Sequence, residues 1–137
     1  MTRERVVIDT NVLISGLLSA TSTPAQAVDR AIKSAQLVAT TETLRELIEK
    51  LLSPKFDRYV TRERRDALLV RLAAVVDIVA VIQPIRASCD AKDDKFLEAA
   101  VNGRADVLVT GDGDLLTLHR FRGIAIVTPA AYLIRET

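Results

Sequence analysis

Val6-Val7-Ile8-Asp9-Thr10-Asn11-Val12-Leu13-Ile14-Ser15-Gly16 decides how the rest of the chain is read. Val6 to Ile8 is β-branched throughout and too short for a helix, the pattern of a strand buried on both faces. The run ends in a carboxylate, and Asn11 is a good N-cap for the apolar helix Val12 to Leu18 that follows. A carboxylate at the carboxyl end of a central strand, beside a helix N-terminus, lies where open α/β sheets place their ligands. Taken alone, Asp9 reads as a cap of that turn. The acidic residues downstream change the weighting.

At 137 residues the chain reads as a single domain, 1–137, large enough to bury about two thirds of its unfolded surface without disulfides or metals. Hydrophobic residues make up 49% and charged residues 27%, which fits a globular protein and excludes a disordered one. Cys89 stands alone, so there is no disulfide framework and the chain suits a reducing cytoplasm. Arg3 and Arg5 ahead of an apolar stretch imitate a secretory signal, but Asp9 and Asn11 spoil its apolar core. Ala67 to Ile82, the most apolar long run, is interrupted by Arg71 and Asp77 and falls short of a membrane span. The expectation is a cytoplasmic protein with no membrane partner. A net charge of +1 means that any polyanion must be held by a local basic patch.

Outward from the first strand, helices and short apolar runs alternate. Thr23-Pro24-Ala25-Gln26 reads as a helix start with Thr23 as N-cap. Gln36 to Thr40 reads as a second strand, and Thr41 opens a helix with the stripe Leu44, Leu47, Ile48, Leu51 and Leu52. Glu42, Glu46 and Glu49 all fall off that stripe, so periodicity makes the three solvated. Thr61 caps the next helix; Asp77 to Ile82 is a third strand, stopped by Pro84. Lys55, Arg58, Arg62, Arg64, Arg65 and Arg71 gather in this region; a charge run defaults to a solvated helix face, yet this one is the best phosphate-contact candidate in the chain.

Asp93 and Asp94 precede a helix carrying Leu97, Ala100 and Val101, with at least one of the two aspartates expected to point inward. Asp106 to Thr110 is a fourth strand, Gly111-Asp112-Gly113-Asp114 a glycine-rich turn, Gly123 to Val127 a fifth strand, and Pro129 starts the closing helix. Strands separated by helices throughout mean a parallel sheet with helices on both faces, a three-layer α/β/α class. If the first and fourth strands are neighbours, Asp9 and Asp112 emerge at the same edge, near the N-terminus of the Asp94 helix. Carboxylates about 4 Å apart repel by roughly 4 kcal/mol at an effective dielectric of 20, so such a cluster takes up protons or a divalent cation. An all-oxygen site suits Mg2+ or Mn2+ rather than zinc, and a hard cation at an open acidic site suits phosphodiester hydrolysis. His119 reads as a surface residue.

Asp9 to Gly16 (DTNVLISG), Glu46-Leu47 followed by Pro54-Lys55-Phe56, Asp93 to Ala100 (DDKFLEAA) and Ala105 to Leu116 (ADVLVTGDGDLL) together resemble the PIN-domain family, and within it the toxins of bacterial toxin-antitoxin systems. The resemblance implies a five-stranded parallel sheet in the order 3-2-1-4-5 and a Mg2+- or Mn2+-dependent endoribonuclease. It carries the catalytic and metal-holding acids onto Asp9, Glu46, Asp94 and Asp112, with Asp114 as an auxiliary ligand and Asn11 and Thr110 as orienting residues. The choice of Glu46 comes from the family, since the helical wheel does not separate it from Glu42 and Glu49. Arg62, Arg64 and Arg65 are the expected RNA contacts, and an antitoxin protein is the expected partner; homo-oligomerisation is left open. Alternatives are a non-catalytic RNA- or partner-binding module on the same fold and, less favoured, a phospho-receiver domain. A receiver needs an acceptor Asp ending its third strand, where this chain has Val81-Ile82-Gln83-Pro84.

Overall fold

The first strand, β1 (Arg5–Ile8), lies at the middle of a five-stranded sheet. The computed structural model describes residues 3–135. The other strands are β2 (Gln36–Ala39), β3 (Asp77–Ile78), β4 (Val107–Val109) and β5 (Ala125–Val127), all parallel, in the order β3-β2-β1-β4-β5. This is the expected 3-2-1-4-5 order. It departs from the 2-1-3-4-5 order of receiver domains, which removes that alternative.

Side-chain alternation along the central strands feeds two cores. Val6, Ile8, Val107 and Val109 pack under α1 (Thr10–Leu18), α2 (Thr23–Ser34), α3 (Thr41–Leu51), α4 (Arg62–Val75) and α7 (Pro129–Ile134). Val7, Val38, Leu108 and Ile126 face the opposite way, under α5 (Asp94–Asn102) and α6 (Gly113–Leu116). Both faces of the sheet are therefore covered, and the apolar runs read from the sequence are continuous for that reason. At the end of α5 a Cβ on Gly103 would stand 2.2 Å from Val38 Cγ1, so glycine lets the helix close onto the sheet.

Several boundaries differ from expectation, each for a local reason. Asp9, not Asn11, caps α1: its Oδ1 accepts the Val12 N–H at 2.8 Å, and the helix starts at Thr10. Ser22 caps α2 in place of Thr23. Thr40 ends β2 by capping α3 in a reciprocal box with Thr43. Thr61 caps α4 as the sequence predicts. The third strand stops at Ile78 because β2, which it pairs with, ends at Ala39 where Thr40 turns to cap α3; further on, Asn102 Oδ1 accepts the N–H groups of Ile82 and Gln83 at 2.9 and 2.8 Å. On α3 the buried positions are Thr43, Leu47 and Leu51, while Ile48 and Leu52 are exposed. Among the described residues no helix is long and apolar enough to cross a membrane.

Candidate metal centre

Register alone brings the first two site residues together. Ile8 pairs with Val109, so the next residues, Asp9 and Thr110, leave the sheet side by side at its carboxyl edge. They sit between β1 and β4, where the strand order reverses and α/β sheets open a crevice. The ladder holds them there, with Asp9 N–H donating to Val109 O at 3.0 Å and Thr110 N–H to Val127 O at 2.9 Å.

Thr110 is fully buried and bonds in two directions. Its hydroxyl donates to Asp9 Oδ2, and its Oγ1 accepts the Asp112 N–H at 3.0 Å. Asp112 Oδ1 accepts the Asp114 N–H at 2.8 Å, capping α6. The glycine-rich turn is thus tied to the strand end. Across from it stands Asp93, which ends a 3-10 turn (Ala91–Asp93) ahead of α5. Carboxylate oxygens of Asp93, Asp112 and Asp114 lie within 4.8 Å of one another.

Asp93 Oδ2 is buried without a hydrogen-bond partner. Burial, then the Asp112 carboxylate, close enough to share a proton, and then Asp90 and Asp9 push the Asp93 pKa up to about 6. Burial also raises Asp9, against the Thr110 hydroxyl and the Val12 N–H, and the Asp112 and Glu46 charges add to the rise. Glu46 goes the other way. Burial raises it, but the Thr10 hydroxyl and the ammoniums of Lys50 and Lys95 outweigh that and hold it below the usual range. Thr10 Oγ1 donates to Glu46 Oε2 at 2.8 Å, while Lys50 and Lys95 stand 3.5 and 3.3 Å from Oε1. An acidic pocket with a donorless buried oxygen fits a hard divalent cation, which would satisfy that oxygen and offset the repulsion.

Most predicted residues fall at this edge, with corrections. Of the adjacent pair, Asp93 is the one brought to Asp112. Asp94 Oδ1 instead accepts the N–H groups of Ala87 and Ser88, at 3.1 and 2.7 Å, and holds the loop before α5. Glu46 is half-buried on the cleft side of α3, unlike the exposed Glu42 and Glu49, so its position off the apolar stripe marked a cleft rather than solvent. Asn11 is exposed and accepts Lys50 Nζ at 3.3 Å. Arg65 is no free phosphate contact: its guanidinium donates to Leu51 O, Val60 O and Asp57 Oδ1 at 2.9, 2.8 and 2.9 Å. Arg64 Nη2 donates to Leu17 O at 2.7 Å, and Arg62 is exposed. His119 is exposed as expected, and its Nδ1 also accepts the Ile126 N–H at 2.9 Å. Thr10 and Lys95 were not singled out from the sequence, although both lie inside the stretches DTNVLISG and DDKFLEAA.

The class this fold and edge define matches the PIN domain, whose family model covers residues 5–114. The chain belongs to the PIN-domain family. It is 34% identical over 119 residues to the uncharacterized protein MJ1680 of Methanocaldococcus jannaschii, covering 84% of this chain and 75% of that protein. Its fold is similar to a chain in the crystal structure of VapBC2 from Rickettsia felis bound to a DNA fragment from their promoter. That match has a TM-score of 0.60 at 11% identity and covers 90% of this chain and 98% of that one.

Proposed function

We propose that this PIN domain is a Mg2+- or Mn2+-dependent endoribonuclease acting as the toxin of a toxin-antitoxin pair in the cytoplasm. The observation that carries the reading is the Asp93 carboxylate, whose buried Oδ2 has no donor and which lies within ligand spacing of Asp112 and Asp114 at the switch point of a PIN fold. Asp93, Asp112 and Asp114 would hold the cation, with Asp9 and Glu46 adding negative charge at the same edge. When bound, the cation polarises the phosphoryl group and lowers the pKa of an attacking water.

The chain's own residues supply the positioning. Thr110 fixes Asp112 by accepting its N–H, and Asp9 fixes the Thr110 rotamer by accepting its hydroxyl proton. Asp9 also anchors α1 through the Val12 N–H, so the strand end and helix start share one carboxylate. Thr10, on the next residue, orients Glu46. RNA as substrate follows the family resemblance, and an antitoxin partner is supported by the fold likeness to VapBC2.

The test is cleavage of single-stranded RNA by the purified chain with Mg2+ or Mn2+ and with EDTA. Cleavage is expected only with metal. Asp93→Asn and Asp112→Asn are expected to lose most of it, because an amide keeps the shape but not the charge that balances the cation. Asp94→Asn retains cleavage, since its Oδ1 still accepts from Ala87 and Ser88. Metal-independent cleavage, or full activity in Asp112→Asn, contradicts the assignment. RNA binding without cleavage under any metal favours the non-catalytic module. Growth arrest on expression, relieved by Asp112→Asn, is the expected sign of a toxin.

A further inference from the structure

Glu46 is held by more positive charge than one carboxylate requires. Lys50 and Lys95 converge on the same oxygen, Oε1, at 3.5 and 3.3 Å, although like-charged ammoniums repel. The Glu46–Lys50 pair is an ordinary i,i+4 contact along α3. Lys95 is different: it reaches across from α5, and its side chain is only 15% exposed, so it gives up both rotamer freedom and hydration to stand there. Its Nζ also lies 5.9 Å from the centroid of the Phe96 ring. After Glu46 cancels one of the two charges, one positive charge is left beside an edge that carries Asp9, Asp93, Asp112 and Asp114.

We propose that Lys50 and Lys95 form the phosphate-binding rim of this site, receiving a phosphodiester oxygen of a single-stranded RNA next to the cation-holding carboxylates. The assignment rests on the nuclease reading given above. A phosphodiester brings its own negative charge to an acidic edge, and the excess ammonium offsets that repulsion. Each ammonium has three N–H donors. Glu46 Oε1 engages one on each lysine and Asn11 Oδ1 one more on Lys50, so each keeps a donor for a ligand. Lysine serves here as a compact point charge held beside Glu46, its donors all on a single ammonium.

The full-length chain, its Lys50→Ala, Lys95→Ala and Lys95→Arg variants, and a short fluorescein-labelled oligouridylate test this. Binding is read by anisotropy against salt in EDTA, Mg2+ binding by calorimetry, and cleavage as separate kcat and KM. Each alanine variant is expected to flatten the salt dependence by about 0.7 log units per lost contact. KM rises more than kcat falls, while Mg2+ binds at least as tightly because a repelling cation has been removed. Lys95→Arg retains the slope. A misfolded variant would instead lose RNA and Mg2+ binding together, and Lys50, less buried than Lys95, gives an independent reading if Lys95→Ala folds poorly. An unchanged slope in both alanine variants, or a wild type that binds no RNA, overturns the proposal. Failure of the wild type to cleave overturns the nuclease reading alone, because binding in EDTA does not depend on cleavage.

Discussion

Asp93 holds its proton up to about pH 6 in the folded chain, whereas an unperturbed aspartate releases it near 3.8. Between those values the folded chain binds more protons than the unfolded one, so stability falls as pH rises through the window, and the loss is complete above it. Asp9, also raised, acts with the same sign, while Glu46, lowered, acts oppositely and at more acidic pH. The difference between wild type and Asp93→Asn therefore reads the titration of Asp93 together with its partner Asp112. Metal-free melting curves from about pH 4 to about pH 7 are expected to show a steeper fall for wild type than for Asp93→Asn, and added Mg2+ to stabilise wild type most above about pH 6, where it no longer competes with the proton. Identical slopes in the two proteins would place the titration elsewhere. That Asp93 and not Asp94 faces Asp112 was illegible in the sequence. The choice depends on the path of the loop ahead of α5, whose Ala87 and Ser88 amides claim Asp94, and no hydrophobic period describes that loop. Asp9 and Thr110 were legible because each follows a buried strand directly and strand register fixes where the next residue emerges, and Asp112 comes two residues after Thr110 in the turn tied back to it.

At the level of elements, α4 shows why a charge run misleads. Arg62, Arg64 and Arg65 are near neighbours in sequence, yet only Arg65 turns inward, with its side chain 11% exposed. It ties the end of α3 to the loop before α4 by donating to Leu51 O and Val60 O. Arg65→Ala leaves those carbonyls without their donor and removes the packed stem, so a loss of about 1 to 3 kcal/mol is expected in urea unfolding. Arg62→Ala, on an exposed position, is expected within about 0.5 kcal/mol of wild type. Equal stability for the two variants would mean that the inward fork contributes nothing. The third strand teaches a related lesson. Asp77 to Ile82 has strand-like composition, but β2 ends at Ala39 and leaves it nothing to pair with past Ile78, and a side-chain amide on α5 takes the N–H groups of Ile82 and Gln83. Competition from a residue far along the chain is invisible to a local pattern.

For the molecule as a whole, the question is whether the acidic edge and the fold depend on each other. Two apolar cores, one on each face of the sheet, are assembled without any of the carboxylates among their members. Folding is therefore expected without metal, and a cation adds stability by mass action alone, by about 2.7 kcal/mol at one hundred times its dissociation constant. For a chain of 137 residues that corresponds to a rise of roughly 10 °C in Tm. The cluster itself works against the metal-free fold, since Asp93 and Asp112 are close enough to share a proton but lack one above about pH 6. Asp112→Asn relieves that repulsion while its Oδ1 still caps α6 through the Asp114 N–H. At neutral pH in EDTA this variant is expected to melt no lower than wild type. In saturating Mg2+ the order reverses, because wild type gains the binding energy and the variant gains little. Differential scanning calorimetry of both proteins, with and without Mg2+, reads all four values. A wild type that fails to fold in EDTA would make the cation structural. An Asp112→Asn variant that melts well below wild type without metal would show that the carboxylate is needed for the fold itself, and that the edge is a cap rather than a place for a cation.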